Sequence, residues 1–226
     1  MKKIFLVVLL LGSIGLSGQQ SANQLLQAVT QKFKKVKDYS ADVRIISDIP
    51  FLKVMPVSAT IYFKQKDKFT VVSHGISFLP KQGFTEIYKM ISDSTKYTAM
   101  RTNREKVDQI VTEVISVIPT DDSGDLVLAK LWIDPVRNII MKSMITDRAT
   151  GTVQINYVYK SQVAMGLPDE MKFTVDVKKF KIPKGLAADL NKKTTAAPKD
   201  NQKGTIQLLL SNYKINKGVD DAVFKK

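Results

Sequence analysis

Apolar and polar positions alternate along most of the chain, which is the period of β-strands with one buried face. The clearest segment contains three apolar runs, 126–133, 138–146 and 152–159, separated by two short turns. Pro135 presets φ in the first turn, and Gly151 tolerates a positive φ in the second. Connections this short join antiparallel neighbours, so the segment is predicted to be a β-meander.

Further strands and two helices are predicted around this meander. Apolar residues at helical spacing predict an amphipathic helix at 23–37, which Ser21 or Asn23 can cap. A short helix is predicted at 86–91. The segment 105–118 fits a helical stripe, but its second half is rich in β-branched residues and is predicted as a strand. Alternation of period two predicts strands at 41–45, 57–64, 69–73, 96–100, 171–177 and 205–215.

The predicted strands form a sheet wider than the predicted helices can cover. About nine strands spaced about 4.8 Å apart make a sheet some 40 Å wide, whereas one helix is only about 10 Å across. An antiparallel sheet with one apolar face must hide that face. It can curl into a barrel that its own side chains fill, or it can curl around an apolar cavity that takes a ligand. The pattern leaves both arrangements open for this mainly β chain with flanking helices.

If the interior is hollow, apolar residues of the helix and strands would line it. The candidate lining residues are Phe33, Ile61, Phe63, Phe69, Val71, Trp132, Met141, Ile155, Tyr157, Phe173 and Leu208. Two proline-containing loops, 48–56 and 75–84, are unusually apolar, although loops are normally polar. They either plug the interior or shape the mouth of an apolar site. The candidate mouth residues are Ile49, Phe51, Leu52, Ile76, Phe78 and Leu79.

Composition and the first residues indicate an exported protein. A basic start followed by a short apolar run predicts a signal peptide at about 1–18 and a single domain at 19–226. The chain has no cysteine, which excludes disulfides and a thioether-linked lipid anchor. Its net charge of +14 fits a solvated surface, an anionic membrane surface, an acidic partner or nucleic acid, and export argues against nucleic acid.

No constellation of residues points to catalysis. His74 is the single histidine, so no zinc site of histidines and cysteines can form. A Ser-His-Asp triad lacks its nucleophile elbow, because no Gly-x-Ser-x-Gly occurs. No glycine-rich phosphate loop is present. We therefore expect no cofactor, no metal and no enzymatic activity, and an envelope enzyme that depends on His74 is the least favoured alternative.

The chain resembles the LolA-like family of periplasmic lipoprotein carriers and outer-membrane lipoprotein-sorting proteins over most of its mature length. The resemblance is carried by the early helix followed by strands, by Leu-Trp-Ile-Asp at 131–134 and by Asp147 and Gly151 before the next strand. Leu-Pro-Asp at 167–169 and the ending at 212–224 complete it. It implies an open, half-closed antiparallel β-barrel capped by helices, with an apolar cavity for acyl chains.

The resemblance also implies a role and a location. We expect a periplasmic, non-enzymatic lipid-binding protein that takes part in lipoprotein transport or sorting toward the outer membrane, with lipoprotein acyl chains or other lipids and an inner- or outer-membrane protein as partners. The family's early strand carries an arginine that helps close the cavity, and the corresponding region here, 64–69, contains none. The alternative is an envelope sensor or protein-interaction module with a filled LolA-like barrel.

Overall fold

The computed structural model describes residues 21–50, 55–65, 68–73, 84–121, 124–148, 151–176 and 202–225. The predicted signal peptide and the central parts of both apolar loops lie outside these residues, as does His74. The prediction of a single domain after residue 18 therefore stays a prediction.

The first helix, α1 (Ala22–Lys34), begins where the sequence predicts it. Ser21 caps it through a capping box, in which the Ser21 hydroxyl accepts from the Gln24 backbone N–H and the Gln24 side chain accepts from the Ser21 N–H. At its other end the Gln65 amide donates to the carbonyl oxygens of Lys34 and Val36, at 2.8 and 3.0 Å. The helix terminus is thus closed by a side chain from the end of a strand.

Ten strands form one antiparallel sheet over the described residues. A second helix, α2 (Phe84–Ile91), follows the third strand. The strands are β1 (Asp38–Asp48), β2 (Val57–Lys64), β3 (Lys68–Ser73), β4 (Tyr97–Val107), β5 (Ile110–Pro119), β6 (Leu126–Asp134), β7 (Ile139–Asp147), β8 (Gly151–Val158), β9 (Glu170–Asp176) and β10 (Lys203–Ile215).

The order of the strands is β3-β2-β1-β10-β9-β8-β7-β6-β5-β4, so β3 and β4 are the two edges and the sheet is not closed. The predicted meander is confirmed as β6, β7 and β8, paired in sequence. The last strand, β10, inserts between β1 and β9, and β9 in turn pairs with β8 of the meander. This is a mainly β architecture with flanking helices, as the pattern predicts.

The segment 105–118 contains no helix. Its first residues end β4, its second half lies in β5, and a two-residue turn joins the two strands. Asp108 and Gln109 occupy that turn with φ values of 47° and 66°. Positive φ at both central positions is the geometry that matches the twist of a tight hairpin, and it overrides the helical spacing of the apolar residues.

The two faces of the sheet differ. We call inner the face whose buried side chains form one cluster with α1 and α2, and outer the opposite face. In β8, for example, Val153, Ile155 and Tyr157 are buried on the inner face, while the residues between them are partly exposed. Because side chains alternate between faces, a regular strand with a covered inner face contributes every second residue to this core.

Candidate functional site

The inner face is the candidate site, because it is the apolar surface against which the helices pack. Ile155 and Phe173 lie opposite each other in β8 and β9, and Phe173 also pairs with Ile206 of β10; their exposed fractions are 0–1%. Burial of such side chains stabilises the fold by about 1.5–3 kcal/mol each. An apolar surface of this kind would also favour a hydrocarbon chain over water.

An aromatic cluster joins both helices to the sheet. The ring of Phe33 in α1 stacks on Tyr88 of α2 at 4.2 Å and meets Phe63 of β2 at 5.3 Å. Tyr39 of β1 packs on Phe63 at 5.3 Å. These centroid distances are those of contacting aromatic pairs. We call Phe33, Tyr39, Phe63 and Tyr88 the aromatic cluster; it fills the space between α1, α2 and the first two strands.

Three tyrosine hydroxyl groups of the core have protein partners. The Tyr157 hydroxyl lies 3.0 Å from the Ser143 hydroxyl, the Tyr159 hydroxyl donates to the Ile140 carbonyl oxygen, and the Tyr213 hydroxyl donates to that of Pro168. Burial raises the pKa values of all three tyrosines above that of an exposed phenol. They are neutral at physiological pH, so they add no charge to the apolar interior.

Most of the predicted lining residues lie on the inner face. Val71 is only partly buried but packs against the core, and Phe69, next to it on β3, is 45% exposed. The structure therefore brings the two β3 residues to an edge rather than to the centre. The lining residues that belong to the buried core are Phe33, Ile61, Phe63, Ile155, Tyr157, Phe173 and Leu208.

Trp132 and Met141 lie elsewhere. Trp132 is buried but lies on the outer face, where its indole N–H donates to Glu105 at 2.6 Å and the Lys142 ammonium sits 4.3 Å from the ring centroid. Met141 occupies a register shift between β6 and β7, and its sulfur contacts the Arg137 guanidinium. Neither belongs to the inner cluster.

Of the predicted mouth residues, the structure describes Ile49, which is 3% exposed and part of the core. The others, Phe51, Leu52, Ile76, Phe78 and Leu79, lie outside the described residues. A role for any of them at the mouth of a site stays a prediction.

A charged group on the inner face was not predicted from the sequence. Glu113 of β5 has a side chain only 7% exposed, and it forms ion pairs with Arg101 and Arg104 of β4. The signal was available: Glu113 is the one charged residue in the otherwise apolar or hydroxyl-bearing run 110–118. A buried charge requires partners, but the sequence does not say which arginines supply them.

An open groove of about 660 Å³ lies on the outer face, across β1, β2, β3 and β10. Its lining mixes apolar residues such as Leu209 and Val72 with hydroxyl groups and Arg44. Within the described ranges, no helix is long and apolar enough to cross a membrane. Nor do the side chains described there group three histidine, cysteine, aspartate or glutamate residues around a potential metal position.

Solved structures share this architecture. A DUF1329 family protein from Desulfovibrio piger superposes with a TM-score of 0.59 at 11% identity, covering 92% of this chain and 98% of its own. A LolA superfamily protein from Nitrosomonas europaea gives 0.59 at 12% identity, covering 91% and 98%. A domain assigned as an outer membrane lipoprotein-sorting protein from Vibrio parahaemolyticus gives 0.56 at 12%, covering 90% and 96%.

No family model matches the sequence, and no curated protein matches it. The structural similarities nevertheless extend over nearly the whole of each chain. The expected LolA-like fold is thereby confirmed, and identities this low establish the fold alone.

Proposed function

We propose that this protein is a non-enzymatic, periplasmic lipid-binding protein that holds acyl chains of lipoproteins or other lipids on the inner face of its open sheet and takes part in lipoprotein transport or sorting. The observation that carries the proposal is the mismatch between an apolar face ten strands wide and the two described helices, of 13 and 8 residues, that pack on it. The similarity to a lipoprotein-sorting domain supports it.

Binding of an acyl chain at such a site requires few polar contacts. Each buried CH₂ group contributes about 0.8 kcal/mol, so part of a long acyl chain suffices for useful affinity. The inner-face residues are already buried, so a bound chain must displace other side chains or helices from them. Among the described elements, α1 and α2 are the parts that can move without breaking strand pairing.

The export signal forms part of the proposal. Cleavage of the signal peptide at a bond between Ser17 and Ala22 would release a chain that has no cysteine for lipid attachment. The intact mass of the protein isolated from the periplasm tests this directly. A mass equal to that of the full 226-residue chain would overturn the signal-peptide assignment.

A second candidate is an interaction or sensor module whose barrel is filled. The aromatic cluster favours it, because Phe33 and Tyr88 already occupy the space between the helices and β2. Such a module would bind a membrane protein through its edges or loops and would carry no lipid.

Native mass spectrometry of protein isolated from the periplasm separates the two candidates. A lipid adduct that organic extraction removes, and that returns when the extracted protein is incubated with palmitate, supports lipid binding. An exported protein without a LolA-like fold, purified in parallel, controls for carry-over. A ligand-free species that does not reload would exclude the lipid-binding proposal and leave the interaction module.

A further inference from the structure

A β-bulge places two arginines on the same face of the edge strand β4. Arg101 pairs with Ile115 and Arg104 pairs with Glu113, and the register shifts by one residue between them. In a regular strand, residues three apart point to opposite faces. The extra residue, Thr102, changes this parity, so both guanidinium groups lie on the inner side with Glu113.

Glu113 forms ion pairs with both arginines. Its Oε1 accepts a hydrogen bond from the Arg104 Nε at 2.8 Å, and its Oε2 lies 3.4 Å from the Arg101 Nε. Lys106 follows two residues after Arg104 on the same face and is exposed. We call Arg101, Arg104 and Lys106 the cationic row: Glu113 forms ion pairs with the two arginines, and Lys106 lies beside Arg104 on the same face.

Arg104 is placed to receive a ligand. Its side chain is 60% exposed, and within the described part of the chain its hydrogen bonding is confined to Glu113. A guanidinium carries five N–H donors in a planar fork that matches phosphate or carboxylate oxygens. Donors beyond the Nε–H are thus available on the solvent side, while the buried carboxylate fixes the orientation of the group.

Apolar surface begins directly beside this row. Ile115 is fully buried on the inner face next to Arg101, and Val111, opposite Lys106, is 50% exposed. We propose that Arg101, Arg104 and Lys106 bind the anionic headgroup, a phosphate or a carboxylate, of an amphiphile whose hydrocarbon chain lies on the inner face. Glu113 is a positioning residue. The inference rests on the proposed function and adds the class of headgroup.

Calorimetric titration of the mature protein with amphiphiles of one chain length tests the headgroup. Dodecyl phosphate, dodecyl maltoside and dodecyltrimethylammonium are titrated below their micelle concentrations, with inorganic phosphate as a fourth probe. We expect dodecyl phosphate to bind at least about tenfold more tightly than the maltoside, as for one or two charge-assisted hydrogen bonds. The cationic amphiphile should bind least tightly, and inorganic phosphate far more weakly than dodecyl phosphate.

Each contrary outcome has a separate meaning. Equal affinity for the phosphate and the maltoside overturns the headgroup site and leaves lipid binding intact. Inorganic phosphate binding as tightly as dodecyl phosphate assigns the row to free anions and overturns the amphiphile. Absence of binding by every dodecyl compound overturns the proposed function itself, and this inference with it.

Variants separate recognition from structure. Arg104→Gln should weaken dodecyl phosphate about tenfold and leave the maltoside unchanged, whereas Arg44→Gln, an exposed arginine on the outer face, should change neither. Equal weakening of both amphiphiles by Arg104→Gln would show a structural role and overturn the proposal.

Discussion

The two edges of the open sheet are both basic, but they place their acidic partner on opposite sides. At the β3 edge, Lys64 and Lys68 meet the exposed Asp221 of a C-terminal turn at 3.0 and 2.9 Å. At the β4 edge, Arg101 and Arg104 meet Glu113, which is buried beneath them. The acid is thus exposed together with its cations at one edge and buried in the core at the other.

The position of the carboxylate decides whether a cationic edge is available to a ligand. A carboxylate on the solvent side occupies the directions from which an anion would approach. A carboxylate on the core side, such as Glu113, orients the Arg104 guanidinium and leaves its solvent side open. The buried acid pays a desolvation penalty, which is tolerated only because both arginines compensate it.

The largest expected loss of stability comes from a substitution in the core near the β3 edge. Phe33→Ala should lower the free energy of unfolding by about 3–4 kcal/mol, because it removes a buried ring from the aromatic cluster and leaves a cavity. Urea denaturation followed by circular dichroism measures the change.

Phe69→Ala is the matched control at the same edge. Its ring is 45% exposed, so its loss should cost only about 1 kcal/mol. Equal losses for the two variants would mean that α1 does not hold the aromatic cluster in solution.

The second prediction compares the two acids directly. Glu113→Ala should lower the free energy of unfolding by about 3 kcal/mol, because it removes a buried carboxylate that forms ion pairs with Arg101 and Arg104. Asp221→Ala should destabilise the protein far less, because that pair is exposed and screened. Urea midpoints of both variants measure the contrast, and a larger loss for Asp221→Ala would reverse the comparison.

The smallest expected effect is on the pH dependence of stability, and it arises from two exposed carboxylates. Hydrogen bonds from Lys68 and Lys64 lower the pKa of Asp221, and hydrogen bonds from Trp132 and Asn103 lower that of Glu105. A lowered folded-state pKa stabilises the protein above the unfolded-state pKa, and that stability is lost as pH falls through the folded-state value. The window therefore lies below the ordinary values of 3.8 and 4.5.

Salt should distinguish these two groups. At about 1 M salt, where the screening length is about 3 Å, the pKa of Asp221 should rise toward its ordinary value because its partners are charged. The pKa of Glu105 should change less, because its two main donors are neutral. Carboxylate resonances followed by NMR during acid titration measure both, and equal salt shifts would contradict the assignment of causes.

Local pattern predicted the strands well but not which face their residues occupy. β2 and the meander agree with the alternation because a period of two is a local property of each strand. Leu131, Trp132 and Ile133 are three consecutive apolar residues, so alternation does not tell which of them faces the core. Pairing with Val114 and Lys142 places Trp132 on the outer face.

Prediction of the cationic row on β4 required information that is not local to that strand. Arg101 and Arg104 are three residues apart, and a regular strand would separate them to opposite faces. The bulge at Thr102 exists only in the pairing of β4 with β5, so it cannot be seen along β4 alone. Glu113 was visible as an isolated charge, but its partners were not.

Alternation, turn residues and helix caps were sufficient to predict whether a segment forms a helix or a strand, because helix and strand formation depends largely on residues close in the chain. The order of strands, the insertion of β10 beside β1 and the parity of the β4 arginines depend on contacts between distant segments. Hydrogen-bond register between strands sets which side chains share a face, and register is a property of pairs of strands.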